Sequence, residues 1–71
     1  MTINSIPIKN VLKINTKEII KQVYIYNFDG NLARTINEKF SEIDVSKLAQ
    51  GLYTIMIKTN NGIANSKFIK E

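Results

Sequence analysis

Apolar side chains recur at every second position in several stretches of this chain, a period that predicts β-strands rather than helices. The clearest stretch carries Tyr53, Ile55 and Ile57 at alternate positions. It is followed by Asn61-Gly62 and then by a second apolar stretch, from Ile63 to Lys70. Because an Asn-Gly pair between two such stretches is the strongest short-range hairpin signal, the C-terminal part of the chain is predicted to form a β-hairpin.

The position of the turn also predicts the register of this hairpin. If Asn61-Gly62 is the two-residue loop, both turn residues adopt positive φ and the strands pair outward from them. The apolar side chains of the two strands then share one face, and we expect that face to be buried. It carries Tyr53, Ile55, Ile57 and Phe68. The predicted opposite pairs are Ile57 with Ser66, Ile55 with Phe68, and Tyr53 with Lys70.

A second hairpin is predicted around Asp29-Gly30, another pair of residues that favours tight turns. Residues 22–27 precede it and residues 32–36 follow it. The first of these strands is apolar on both faces, as a central strand requires. Its two faces carry Val23 with Ile25 and Tyr24 with Tyr26.

Two shorter strands are predicted at residues 11–14 and 41–45. Their inward side chains are expected to be Leu12 and Ile14 in the first, and Ile43 and Val45 in the second. Pro7 keeps the lead-in to the first strand extended, and it is not expected inside a central strand because it lacks the N–H that the sheet needs. Residues 16–21 are expected to form a loop, and Ser46 is placed to cap one short helical turn.

The strand pattern predicts the fold class. Six or seven short strands at a spacing of roughly ten residues are typical of an antiparallel β-sandwich. We therefore predict a small all-β fold of two antiparallel sheets, forming a single domain over residues 1–71. A chain of this length buries only about 60% of the surface that its unfolded form exposes, so its stability is expected to be modest.

The side-chain inventory excludes several kinds of chemistry. The chain contains neither histidine nor cysteine, which removes Ser–His–Asp and Cys–His nucleophiles and zinc sites. We predict that the protein is not an enzyme and holds no metal or cofactor. The net charge is +4, but the lysines are scattered, which favours a solvated surface over a nucleic-acid patch.

Three small groups of residues could carry chemistry, and each also has a simpler explanation. Glu42 and Asp44 share one face of a strand and could hold calcium or transfer protons, but nothing apolar is patterned around them, which favours solvated charges at a sheet edge. Residues 27–31 could bind a cation through turn carbonyls, although Asp and Gly are typical of the turn itself. Tyr24 and Tyr26 could stack on nucleic-acid bases, or they could be structural.

Membrane insertion is not expected, because no apolar run approaches the roughly 18 residues that a span needs. The first residues do not have the regions of a signal peptide. If the domain is exported, its export signal lies elsewhere, and we expect the chain to be excised from a longer secreted protein.

Three segments of the chain match a known family in order and spacing. The first is Val23-x-Ile25-Tyr26-Asn27-x-x-Gly30. The second is Ile43-Asp44-Val45-Ser46-x-Leu48-x-x-Gly51-x-Tyr53-x-Ile55-x-Ile57, and the third is Lys67-Phe68-Ile69-Lys70. Together they resemble the C-terminal sorting domain of the type IX secretion system (type A, the Por secretion system), over nearly the whole chain. That family usually opens with Pro-Asn-Pro, where this chain has Ser5-Ile6-Pro7.

The resemblance implies a fold and a role. Such domains are compact immunoglobulin-like β-sandwiches at the C-terminus of secreted cargo, and they catalyse nothing. The secretion machinery recognises them in the periplasm and carries them across the outer membrane. A sortase-type peptidase then usually removes them, and the covalently linked N-terminal cargo is secreted or attached to the cell surface.

The resemblance also selects individual residues. Lys67, Phe68, Ile69 and Lys70 become candidates for recognition, on a last strand that we expect to be a free sheet edge open to strand addition. Gly51 is expected to turn the chain into its strand and Tyr53 to anchor the core. The full set of structural-motif candidates is Pro7, Asn27, Gly30, Asp44, Gly51 and Tyr53. The same free edges predict a domain-swapped dimer.

Two other functions fit the same residues. One is a carbohydrate-binding or spacer β-sandwich of a secreted enzyme, which would require a planar row of exposed aromatic side chains. The other is a small basic nucleic-acid binder, whose affinity would fall steeply with salt. The fold alone does not separate these functions, because β-sandwiches carry many activities.

Overall fold

The computed structural model of the protein describes residues 2–3 and 8–71, so Pro7 lies outside the described residues. The described part contains β-strands joined by turns and loops, and it contains no helix. The strands are β1 (Thr2–Ile3), β2 (Val11–Asn15), β3 (Ile20–Tyr26), β4 (Leu32–Ile36), β5 (Glu42–Asp44), β6 (Gly51–Thr59) and β7 (Gly62–Lys70).

These strands form two antiparallel sheets. Three strands pair in the order β1-β2-β5, and four pair in the order β4-β3-β6-β7. The chain passes from one sheet to the other after β2, after β4 and after β5. The prediction of a small all-β antiparallel sandwich is therefore confirmed, and the strand count falls within the predicted range.

The core lies between the two sheets and is built from alternate positions of the strands. Every side chain that the period-two pattern placed inward in β2 and β5 is buried, as is Val45 directly after β5, and the buried face of β3 carries Val23 and Ile25. Fully burying one such side chain stabilises the fold by about 1.5–3 kcal/mol. The core residues are Ile8, Leu12, Ile14, Val23, Ile25, Ile36, Ile43, Val45, Tyr53, Ile55, Ile57 and Phe68.

The predicted register of the last hairpin is wrong by two residues. The two-residue loop is Asn60-Asn61, and Thr59 pairs with Gly62. Of the residues in this turn, only Gly62 has a positive φ, at 135°, whereas the predicted loop required positive φ at two residues. The predicted inward face is nevertheless confirmed, because a slip of two residues leaves every side chain on the same side of the sheet. The observed opposite pairs are Ile57 with Ala64, Ile55 with Ser66, and Tyr53 with Phe68.

Contacts with a distant loop explain this register. The backbone N–H of Asn60 donates to the carbonyl of Ile19 at 3.0 Å, and the N–H of Ile19 donates to Oδ1 of Asn60 at 3.3 Å. Asn61 Nδ2 donates to Glu18 Oε1 at 3.1 Å. The hairpin tip is thus held by the loop between β2 and β3, so a tertiary interaction decides which residues turn.

The hairpin between β3 and β4 forms where Asp29-Gly30 predicted it, with a three-residue loop of residues 28–30. The N–H of Gly30 donates to the carbonyl of Asn27 at 3.0 Å, and Asn27 N–H donates to the carbonyl of Asn31 at 2.9 Å. Gly30 has φ 84°, a conformation that glycine adopts without strain. The side chain of Asn27 accepts from the N–H groups of Asp29 and Asn31, which fixes the loop.

The connections without strands are short. Residues 16–19 form the predicted loop, although β3 begins earlier than expected, at Ile20. The predicted helical turn after Ser46 is a single tight turn, closed by the N–H of Leu48 donating to the carbonyl of Val45 at 3.0 Å. The residue that caps it is Asp44, whose Oδ1 accepts from the N–H of Ser46 at 2.9 Å. The prediction of Ser46 as the cap is therefore wrong, because Ser46 supplies the N–H that Asp44 caps and its side chain bonds back to the Asp44 carboxylate.

Tyr53 connects this turn to the core. Its ring stacks on that of Phe68, with 5.4 Å between ring centroids and 16° between planes. Its hydroxyl donates to the carbonyl of Ala49 at 2.8 Å. This arrangement is called a tyrosine corner in immunoglobulin-like sandwiches: a tyrosine near the start of a strand donates a hydrogen bond to the backbone of the preceding connection. Tyr53 therefore fixes the path of the chain from β5 to β6.

We expect Tyr53→Phe to lower the free energy of unfolding by about 1 kcal/mol, because it removes one hydrogen bond and leaves the Ala49 carbonyl without this donor. Tyr53→Ala also empties the site of the ring and should cost about 3–5 kcal/mol. Urea denaturation followed by circular dichroism measures both. Tyr24→Phe, on the outer side of the sheet, is the matched control. Equal stabilities for the two Tyr→Phe variants would contradict the role of the Tyr53 hydroxyl.

Candidate recognition surface

The last strand, β7, lies at one edge of the four-stranded sheet. Within the described ranges, its outer side pairs with one residue, Ile8, through a single parallel bridge to Lys70. The N–H of Ile8 donates to the carbonyl of Ile69, and the N–H of Glu71 donates to the carbonyl of Ile8, both at 2.8 Å. This bridge covers only the end of the strand.

The bridge also shows which backbone groups point away from β6. Residues of a strand direct their N–H and C=O groups alternately to the two sides. The C=O of Ile69 and the N–H of Glu71 point toward Ile8, away from β6. The N–H and C=O groups of the other odd-numbered residues of β7 therefore point to the same outer edge. Those residues are Ile63, Asn65 and Lys67, and no described strand pairs with them there. They form what we call the open edge, residues 63–67 of β7.

The four candidate recognition residues divide between two environments. Lys67 and Ile69 are exposed on the outer face of the sheet. Phe68 is 1% exposed and lies in the core, and Lys70 is 7% exposed on the same inner side. The ammonium group of Lys70 donates to the backbone carbonyl of Glu71 at 3.0 Å. A partner that approaches the folded domain can therefore contact Lys67 and Ile69, whereas Phe68 and Lys70 face inward.

This division predicts different effects for neighbouring substitutions. Phe68→Ala should lower the free energy of unfolding by about 3–5 kcal/mol, since it removes a buried ring and the partner of Tyr53. Ile69→Thr, one residue along, should leave stability within about 0.5 kcal/mol because the side chain is half exposed and threonine suits a strand. Thermal melts of the two purified variants compare them directly. A stable Phe68→Ala variant would contradict this placement.

Asp44 and Glu42 are exposed on the same face of β5, as their spacing predicted. Hydrogen bonds to the Asp44 carboxylate, first from the side chain of Ser46 and then from its backbone N–H, hold the pKa of that carboxyl below its usual value. The charges of Arg34 and Lys47 act in the same direction. Arg34 also reaches across from β4, and its guanidinium donates to the Asp44 carbonyl at 3.4 Å. Asp44 therefore links the edges of the two sheets.

Because the pKa of Asp44 is lower in the folded state, its contribution to stability is present at neutral pH. That contribution is lost as the pH falls below the unfolded value of about 3.9 and through the folded pKa. Asp44→Asn should therefore make stability fall less steeply with acid, and Asp44→Ala should also lower stability at neutral pH by removing the acceptor for Ser46. Urea denaturation at a series of pH values measures this. Glu42→Gln removes the same charge from the same face and is the control. If stability falls with acid in the same way in Asp44→Asn and Glu42→Gln, the stabilising role of the ionised Asp44 carboxylate is refuted.

Three other sequence candidates lie on the same four-stranded sheet as β7. Tyr24 and Tyr26 are half-buried on the outer face of the four-stranded sheet. Gly51 begins β6 with φ 148°, opposite Lys70. Among the described residues, no group of three or more Asp, Glu, His or Cys side chains is placed to hold a metal ion. The same residues include no helix of the length and apolar character that crossing a bilayer requires.

Sequence reasoning missed two parts of this surface. Ile8 is a single residue outside any alternating run, so its pairing with β7 has no periodic signal. The bond from Tyr53 to Ala49 was also missed, although a tyrosine directly after a turn and a glycine is the pattern that could have indicated it.

The fold and the surface define a class: a small β-sandwich whose last strand is a partly open edge. The comparison with protein families agrees with this class. The family described as the secretion system C-terminal sorting domain matches residues 6–71. The chain therefore belongs to that family, and its function is that of a C-terminal sorting signal for type IX secretion. No curated protein and no solved structure gives a significant match.

Membership in this family places the protein on an export route, with secretion or display at the cell surface as the destination. The family also implies recognition by the type IX secretion machinery and attachment to a cargo protein. The carbohydrate-binding or spacer function receives no support from the comparisons or from the structure.

Proposed function

We propose that the secretion machinery reads this domain through the open edge of β7, and that the domain itself catalyses nothing. The observation that carries the proposal is the set of outward backbone groups at Ile63, Asn65 and Lys67, which no strand in the described part of the chain pairs, beside exposed Lys67 and Ile69 side chains. A sheet edge of this kind accepts an additional strand through main-chain hydrogen bonds. Lys67, Phe68, Ile69 and Lys70 then have separate roles, with the outward pair contacting the partner and the inward pair shaping the edge.

Recognition through a folded edge suits a sorting signal. The edge is positioned by the core of the domain, because Phe68 and Lys70 alternate with Lys67 and Ile69 along the same strand. Main-chain pairing does not depend on the identity of the cargo. A domain that folds on its own therefore presents the same surface after any preceding protein.

The route that we propose runs through the periplasm, where the domain folds and is recognised. A sortase-type peptidase then separates it from the covalently linked N-terminal cargo. Because β1 pairs with β2 as part of the sandwich, a cut that releases the domain intact has to fall on the N-terminal side of Thr2. The cargo is afterwards secreted or attached to the cell surface.

The open edge also supports the proposal of a domain-swapped dimer. The β6–β7 hairpin lies at one side of the sheet, and β6 pairs with β3 along most of its length. Exchange of an edge element between two copies preserves the native contacts of each. In such a dimer the C-terminal strand would be the exchanged part.

A secretion assay with a matched pair of substitutions tests the use of the edge. The domain is fused behind a periplasm-exported reporter in a host with a type IX system. Asn65→Pro removes an N–H that points to the open edge and that no described strand accepts, so it should block strand addition while the fold is kept. Asn65→Ala changes the same side chain and retains the N–H. We expect the alanine variant to be secreted and the proline variant to stay in the periplasm.

The outcomes separate the fold from the function. Circular dichroism and a thermal melt establish that both variants are folded. Secretion of folded Asn65→Pro at the wild-type level would show that the edge is not read. Retention of the wild-type fusion in the periplasm would contradict the sorting function itself.

A further inference from the structure

The two outer faces of the sandwich differ in chemistry. On the three-stranded sheet, the outward positions of β2 and β5 carry charges of both signs and a single large apolar side chain. These positions are Val11, Lys13, Asn15, Glu42 and Asp44. Such a face is typical of a solvated surface.

The outer face of the four-stranded sheet carries more exposed apolar side chains, interspersed with the polar residues Gln22, Thr35, Thr54 and Asn65. Four of the seven large hydrophobic side chains that are exposed in the described residues lie on it: Leu32, Leu52, Ile63 and Ile69, with 53%, 40%, 62% and 49% of their surface exposed. The strand register joins them to three half-buried side chains, since Tyr24 pairs with Met56 and Tyr26 with Leu32. Leu52 pairs with Ile69 across β6 and β7. We call these seven residues the outer apolar face.

The charge on this face has one sign. Lys58 and Lys67 are exposed on it, at outward positions of β6 and β7. None of the four strands contains an aspartate or a glutamate, on either side of the sheet. A positive surface with several exposed apolar side chains is complementary to a partner that presents apolar side chains beside carboxylates.

We propose that the outer apolar face docks a protein whose contact surface combines apolar side chains with carboxylates. This proposal rests on the proposed function, since the partner would be a component of the export route. A second copy of this chain fits poorly, because Lys58 and Lys67 of the two copies would be brought together. A glycan or nucleic acid also fits poorly, because the most exposed side chains are branched aliphatics, which offer no stacking platform.

The size of the face indicates a transient complex. Four strands at about 4.8 Å spacing and about six residues at roughly 3.4 Å each give an area of about 300–400 Å². A standard stable interface buries about 800 Å² on each partner. A partner that uses this face alone would therefore bind weakly and release the domain, as export requires.

Site-specific photo-crosslinking in a type IX-competent host tests which molecule the face contacts. A photoreactive benzoylphenylalanine replaces Met56 in the reporter fusion, and in a matched fusion it replaces Val11 on the opposite face. We expect a protein adduct from position 56 and a much weaker one from position 11. Mass spectrometry should locate the crosslink in a patch of the partner that contains both apolar residues and carboxylates.

Charge reversal tests the complementarity. Lys58→Glu in the position-56 fusion should lower the adduct yield about tenfold, since a like charge now meets the partner's carboxylates. Lys47→Glu makes the same change in net charge on the exposed β5–β6 connection and should leave the yield unchanged. Equal yields for the two variants would overturn the proposal.

Secretion of the same fusions gives an independent readout. Leu52→Thr/Met56→Thr trims the face with residues that suit strands, and Val11→Thr is its control on the other sheet. We expect the double variant, folded by circular dichroism, to be secreted about tenfold less than the control. Equal secretion of both would contradict a role of the face in export.

The two proposals fail in different ways. Retention of the wild-type fusion in the periplasm would count against the sorting function, and the crosslink at position 56 would still report what the face binds. An adduct to a second copy, to lipid or glycan, or no adduct at all, would overturn the docking proposal while leaving the function of the edge intact.

Discussion

The stacked pair of Tyr53 and Phe68 is the contact on which the rest of the structure depends. The two residues lie directly opposite each other on β6 and β7, and both rings are buried between the sheets. Through its hydroxyl, Tyr53 also holds the connection that brings the chain from the other sheet. In a domain with no disulfide and a modest core, this one pair joins the sheet edge, the core and a crossing between layers.

This arrangement explains why recognition and stability meet in the last residues of the chain. Along β7, side chains alternate between the core and the outer face, so Lys67 and Ile69 are exposed only because Phe68 is buried. Removal of residues 67–71 would take away the exposed pair and half of the aromatic stack together. A deletion of this segment therefore reports unfolding as readily as loss of recognition, and substitutions that respect the alternation are needed to separate the two.

The sequence predicted the faces of the strands much better than the pairing between them. Alternation alone placed Leu12, Ile14 and Ile43 in the core, because side chains at alternate positions of a half-buried strand face the interior and the solvent in turn. The register of the last hairpin was wrong because Asn60 is held by Ile19, a residue far away in the sequence. The pairing of Ile8 with β7 was missed for a similar reason, because it also joins residues far apart in the sequence. A single residue shows no alternation from which a strand could be predicted.

The same reasoning explains why the family resemblance carried the function when residue chemistry could not. The motif residues that the structure describes hold turns and corners: Asn27 and Gly30 close a loop, Asp44 caps a turn, and Tyr53 bonds across a corner. None of them forms a reactive group that chemistry could identify. What they specify is the position of an edge and of a face, and a chain whose function is to be recognised is expected to encode its shape in this way.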